Sequence, residues 1–337
     1  MSDPFRPRVL VALLVFSFAP LAGAQTVNPD LFADPAAATQ PAPQAEARSD
    51  AQADETRFLR FIGDGVTGGT LETSDVTFRN EKGVTVRLVS AVHIAEAAYF
   101  RDVQMSLAGT EVVLYEMVKA AGSGPPVKGQ RSDSGISRLQ HFLKDTLNLS
   151  FQLDEMDYTP RNFVHADLDA ETFQKLQAQR GESFATMMLQ SLMKSLSNPT
   201  AMRRFDDEPA DMFDLMTRPD GERQIKLMLA RHLGDIERDA VGLDMLSGSV
   251  ILTERNRAVI KELGKQLKAG KKDIAIFYGA AHMPELADAL EFRGFEPVET
   301  KWRAAWDVKI RKDQPSAFQK LMDQAGHSLL EELQKAQ

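Results

Sequence analysis

Three apolar, strand-like runs, far apart in the chain, each stop where a side chain able to bind a metal or move a proton begins. Val84–Val92 leads into His93, Glu111–Tyr115 into Glu116, and Asp273–Tyr278 into Gly279-Ala280-Ala281-His282. In an open α/β sheet, ligands gather in the crevice at the carboxyl ends of parallel strands, so residues at strand exits converge however distant they are in sequence. The pattern predicts an α/β fold with a mixed, largely parallel central sheet and flanking helices. It makes His93, Glu116 and His282 the candidate site.

Local patterns support that frame. Asp75–Asn80 and Val84–Ser90 flank Glu81-Lys82-Gly83 as a hairpin would, and Val84, Val86 and Leu88 alternate with Thr85 and Arg87 as one buried face requires. Ala95–Leu107 reads as a helix and Glu111–Tyr115 as a strand buried on both faces. Strand, helix and strand with short joints form a βαβ crossover, which puts His93 and Glu116 on one sheet edge. Residues 136–247 are mostly helical in pattern and read as an insertion between sheet strands. Eight of the 14 methionines fall between 185 and 247, where they either fill irregular core gaps or line an adaptable groove. Leu252–Ala269 is a further helix, capped by Gly270 before the strand Asp273–Tyr278. The helix Pro284–Phe292, short strands around Pro297–Val298 and Arg303–Trp306, and an amphipathic helix Phe318–Leu333 complete the series. That last helix should dock on the domain or make a homodimer.

The chain ends are of another kind. Arg6 and Arg8, the apolar run Val9–Phe18 and Ala22-Gly23-Ala24 make residues 1–24 a secretory signal with its cleavage site. Residues 25–54, rich in Ala, Pro, Gln and Asp, cannot bury enough apolar surface to order themselves and read as a linker. The α/β domain then spans about 55–312, with the C-terminal helix in 313–337. There is no cysteine, which excludes disulfides, a thiolate metal site, a Cys nucleophile and a lipid-modified N-terminal Cys. A periplasmic or secreted protein is the expectation, with no stable membrane insertion once the signal is cleaved. The formal charge of −8 argues against nucleic acid as a partner.

Two neutral imidazoles and a carboxylate suit a divalent transition metal, and an open coordination position lets a bound water attack near neutral pH. The competing reading makes His93 and His282 core histidines and Glu116 a solvated strand end. Other residues carry paired readings too. Glu254 and Arg255 are either a solvated pair at a helix start or a proton shuttle and an oxyanion stabiliser. Glu96 is a helix-start carboxylate or a ligand, and His165 is a strand-end residue or a site member. Asp167 or Asp169 caps the helix from Ala170. His141, His232 and His327 sit in helical patterns as packing or surface residues, and Tyr278 is core or a hydrogen-bonding neighbour. Residues 121–135 form a loop after Glu116, either a cover or a plain surface connection.

Taken in order, Ser90-Ala91-Val92-His93, Val113-Leu114-Tyr115-Glu116, Glu254-Arg255-Asn256 and Gly279-Ala280-Ala281-His282 resemble the motifs of the TraB/PrgY/GumN family, whose animal relatives are the Tiki metalloproteases. The resemblance covers about residues 74–306, with Ser90 standing where the family has Gly. It implies a fold related to erythromycin esterases and the haem-binding ChaN protein. It also implies His93, Glu116 and His282 as the metal or catalytic set with Arg255 and Asn256 as supporting groups, to which the proton-shuttle reading adds Glu254 as a catalytic candidate. The expected activity is an exported hydrolase of peptide or small ester substrates using Mn, Co or Zn. The alternative on the same fold is a non-catalytic protein binding haem, metal or a peptide.

Overall fold

A computed structural model describes residues 57–64, 67–128, 147, 149–181, 221–235 and 250–309. The expected signal (1–24), linker (25–54) and C-terminal helix (313–337) lie outside the described residues, as do His141, His327 and most of the helical stretch 136–247. The fold is mixed α/β. Strands β1 (Leu59–Gly63), β2 (Gly68–Asn80), β3 (Thr85–Ala91), β5 (Val112–Tyr115), β7 (Phe163–His165), β8 (Asp273–Gly279) and β9 (Phe295–Lys309) form one seven-stranded sheet, ordered β1-β2-β3-β8-β5-β7 with β9 also paired to β2. The short β4 (Ile94–Ala95) and β6 (Ser150–Phe151) pair separately.

The sheet has two halves. β2 pairs antiparallel with β1, β3 and β9, while β3, β8, β5 and β7 run parallel. The hairpin between β2 and β3 forms as expected. Gly83 takes φ +71°, and the Asn80 side-chain oxygen accepts from the backbone N–H groups of Lys82 and Val84 at 3.1 and 3.0 Å. β3 and β5 are parallel, yet β8 lies between them. The crossover through α1 (Ala97–Ala108) therefore spans a strand supplied much later in the chain.

Alternation splits the core between the sheet's faces. Val89, Ala91, Val113, Ala275 and Phe277 pack with α1 and with α4 (Gly221–Gly234). Val86, Leu88, Val112, Leu114, Ile274 and Ile276 pack on the other side with α5 (Arg255–Lys268) and α6 (Met283–Glu291). The remaining described helices are α2 (Gln152–Glu155) and α3 (Ala170–Arg180). Among the described residues no helix is long and apolar enough to cross a membrane.

The C-terminal strands differ from expectation. The two short strands around Pro297–Val298 and Arg303–Trp306 are one fifteen-residue strand, β9. Register shifts opposite Thr77/Phe78 and Leu71/Glu72 leave Val298 and Ala305 without a partner in the ladder. Such a bulge lets one strand carry a proline that would otherwise end it.

Candidate functional site

All four parallel strands deliver a polar side chain at the same edge. His93 follows β3, His282 follows β8 through a 3-10 turn, Glu116 follows β5 and Asp167 follows β7. α5 adds Arg255 and Asn256. A π-helical turn, Val250–Glu254, precedes that helix, whose buried residues are Arg255, Asn256, Val259 and Leu263. Its inward stripe is thus polar in the first turn, where it meets the site, and apolar beyond it.

Glu116 is the hub. Its Oε1 accepts from Arg255 Nη2 at 2.7 Å, and its Oε2 from the Gly279 backbone N–H at 2.6 Å. That second bond explains the glycine. Gly279 has ordinary dihedrals, φ −57° and ψ 144°, but a Cβ there would stand 3.3 Å from both Glu116 Oε2 and His93 Nε2. Close approach, rather than a sharp turn, requires the missing side chain. Ser90, three residues before His93 as Gly279 is before His282, is buried, and its hydroxyl donates to the Phe58 carbonyl at 3.0 Å.

Arg255 is held from behind. Its Nε donates to Asp167 Oδ1 at 3.0 Å and its Nη2 to Asp167 Oδ2 at 2.6 Å. It is therefore not the solvated partner of Glu254, since its side chain is only 3% exposed. Two buried carboxylates push its pKa up although burial alone would lower it. Burial likewise opposes the charge on Glu116, but Arg255 outweighs it and holds this carboxyl well below the usual range.

Each histidine is oriented through Nδ1. His282 Nδ1 is 2.7 Å from Asn256 Oδ1, while Asn256 Nδ2 donates to Glu285 Oε2 at 3.0 Å. A carboxylate only accepts, so the Asn256 amino group faces Glu285 and its oxygen faces His282. Nδ1 then carries the hydrogen, and in the neutral ring Nε2 is a bare lone pair. His93 repeats the arrangement, with Nδ1 3.0 Å from Gln152 Oε1 and Gln152 Nε2 donating to the Tyr158 hydroxyl at 2.8 Å. Burial pulls the His93 pKa down, favouring the neutral ring.

Both Nε2 atoms are buried and lack any hydrogen-bond partner. His282 Nε2 stands 3.6 Å from Glu116 Oε1. Lone pairs from two imidazoles and a carboxylate thus face one another, and an acceptor facing an acceptor needs a cation between them, whether a proton or a metal ion. Among the described residues no group of three His, Cys, Asp or Glu side chains has the spacing to hold a metal ion. The donor chemistry nevertheless fits one. Two imidazole nitrogens are uncommitted, and each Glu116 oxygen keeps a second lone pair after its single hydrogen bond.

The other candidates fall elsewhere. The Glu254 carboxylate is taken by Arg180 and Arg257. Glu96 receives Lys226 and the Asp307 backbone N–H, and His165 Nε2 donates to the Met117 carbonyl at 2.6 Å. His232 Nδ1 lies 2.7 Å from the Met228 carbonyl within α4. Asp169, accepting from Thr172 N, is the cap of α3, while Asp167 accepts from Arg255 and from the Leu168 backbone N–H at 2.7 Å. The Tyr278 hydroxyl donates to the Ala166 carbonyl at 2.6 Å, and its ring meets that of His282 edge-on, 5.1 Å between centroids. Asp167 shared the strand-exit signal of the other site residues and was obscured by the capping reading. Gln152, Tyr158 and Glu285 carry no comparable local signal. No protein-family model, curated protein or solved structure matches this chain.

Proposed function

We propose that the chain is an exported, metal-dependent hydrolase of the TraB/PrgY/GumN kind, acting on peptide or ester carbonyls, with a divalent Mn, Co or Zn ion held by His93, His282 and Glu116. One observation carries the reading: two bare, buried imidazole nitrogens converge on an ionised carboxylate. The four ordered sequence segments support it independently, and with it a finer kinship to the erythromycin esterase and ChaN folds. The signal-like segment 1–24 supports export.

Such an ion would supply Lewis acidity, polarising a carbonyl and making water nucleophilic near neutral pH. The chain's own residues do the rest. Gln152 and Asn256 fix the imidazole tautomers so that both Nε2 lone pairs are left uncommitted, as outer partners of metal-binding histidines do. Arg255 keeps Glu116 ionised, and its Nη1, which donates to no described group, is the hydrogen-bond donor left for a carbonyl oxygen as negative charge grows there. Burial holds the Tyr158 pKa up, so it stays a phenol against Gln152.

The test is hydrolysis of a peptide library and simple aryl esters by the full chain loaded with each ion in turn. The expected result is ion-dependent turnover that falls roughly a thousandfold or more in His93→Ala and His282→Ala. Turnover unchanged in either variant, or after chelation, would contradict the proposal. Burial favours one other reading. His93, Glu116 and His282 are 8%, 6% and 1% exposed, so the same site could retain an ion without admitting a substrate. That protein would bind one ion per chain and hydrolyse nothing in the library.

A further inference from the structure

Charge bookkeeping at the strand exits assigns a role to Asp167. It follows β7 with a side chain 0% exposed, and its two oxygens receive Nε and Nη2 of Arg255 at 3.0 and 2.6 Å. Arg255 in turn reaches Glu116 at 2.7 Å with the same Nη2 that meets Asp167. Alone, Arg255 and Glu116 would form a neutral pair, which attracts a cation less strongly than a carboxylate whose charge is not cancelled. With Asp167 present, two carboxylates share one guanidinium, and the cluster keeps one uncancelled negative charge. Of the two carboxylates Glu116 is the one beside an imidazole, its Oε1 3.6 Å from His282 Nε2, while Asp167 takes Nε and shares Nη2. A net charge buried this deeply is costly unless something completes it.

We infer that Asp167 is a positioning residue for the cation site: by neutralising and orienting Arg255 it leaves the Glu116 carboxylate its charge, so that His93, His282 and Glu116 together attract a divalent ion. This rests on the metal reading above and goes beyond it. The reading names the ligands, whereas the inference says what gives them their charge. Among the described residues the partners of Asp167 are Arg255 and the Leu168 backbone N–H, so it acts on the histidines through Arg255.

Titration calorimetry of the full chain with Zn²⁺, Co²⁺ and Mn²⁺ tests it, run on the wild type, His282→Ala, Asp167→Asn and the double variant Asp167→Asn/Arg255→Met. The single Asp167 variant makes the cluster neutral, and affinity should fall roughly ten- to a hundredfold, the range seen when outer partners of metal ligands are removed. In the double variant both the cation and its counter-ion are gone, and Glu116 again carries one uncancelled charge. Affinity should return to within roughly tenfold of wild type, an outcome that loss of local structure would not produce. Should Asp167→Asn fail to fold, the double variant carries the test, and a folded double variant without ion binding would overturn the inference. So would wild-type affinity in Asp167→Asn. Wild-type affinity in His282→Ala, or no binding in the wild type, defeats the metal reading itself, and the role of Asp167 falls with it.

Discussion

Two arginine–carboxylate clusters are built into this sheet, and they differ in which charge is left over. In the antiparallel half, Asp75 on β2 accepts from both terminal nitrogens of Arg303 at 3.0 Å and has Arg87 at 3.9 Å. One carboxylate meets two guanidiniums, and the surplus positive charge sits on side chains 17% and 23% exposed, within reach of water. In the parallel half, Asp167 and Glu116 share the single Arg255, and none of the three side chains is more than 4% exposed. The surplus there is negative and has no solvent. An interior tolerates the first arrangement at little cost and the second only when another cation completes it. The same residue types therefore fasten strands in one half and, on the proposed reading, charge a binding site in the other.

The sharpest way to break this comparison is to remove each cation. Arg255→Met leaves Asp167 and Glu116 buried with no positive partner and should cost about 3–5 kcal/mol, or prevent folding. Arg303→Met leaves the buried Asp75 with the partly exposed Arg87 at 3.9 Å as its remaining cation and should cost about 1–2 kcal/mol. Urea denaturation of both variants measures the difference, and equal losses would erase the distinction. Gly279→Ala comes next. Its Cβ meets Glu116 Oε2 and His93 Nε2 at 3.3 Å, so crowding should cost about 1–3 kcal/mol and weaken ion binding. The same change at Gly264, on α5 with nothing near its Cβ, should instead stabilise by about 0.5–1 kcal/mol. Melting temperatures of the pair separate a glycine needed for closeness from one that is not.

Acid should act through the parallel half. His93 has a folded pKa below its ordinary 6.5, so the unfolded chain takes up that proton first and stability declines as pH drops below that value. The Glu116 carboxyl is depressed below its ordinary 4.5. Its contribution is complete above that value and is lost as pH falls from there through the folded pKa. Both effects have the same sign. Urea midpoints of the chelator-treated chain should fall between about pH 7 and pH 4, and midpoints rising on acidification would contradict the assignment. The smallest effect belongs to Glu254→Gln, which removes ion pairs with Arg180 and Arg257 outside the charged cluster. It should shift stability by about 0.5 kcal/mol or less and leave hydrolysis unchanged. A large loss of turnover would restore the proton-shuttle role considered for it from sequence.

Strand exits were legible because they need only local information: an apolar alternating run, then a polar residue. His93, Glu116 and His282 come together on that ground alone. The arrangement around them depends on pairings that no local pattern records. β8 inserts between β3 and β5, so strand order is set by tertiary packing rather than by adjacency in the chain. Asp167 finds its partner 88 residues away, while the capping duty expected of it is met by Asp169. Gln152 and Tyr158 fix His93 from a segment whose own pattern is that of an ordinary short helix. β9 reads in sequence as two short strands, around Pro297–Val298 and Arg303–Trp306, and only its pairing with β2 shows that the ladder is continuous, with a register shift beside Pro297.

The central claim is that His93 and His282 share one divalent ion, and X-ray absorption at the metal edge of the cobalt- or zinc-loaded chain addresses it most directly. The account predicts scattering from two imidazoles at about 2.0–2.1 Å, halved in His93→Ala and in His282→Ala. An ion without imidazole scattering, or a spectrum unchanged in both variants, would contradict it.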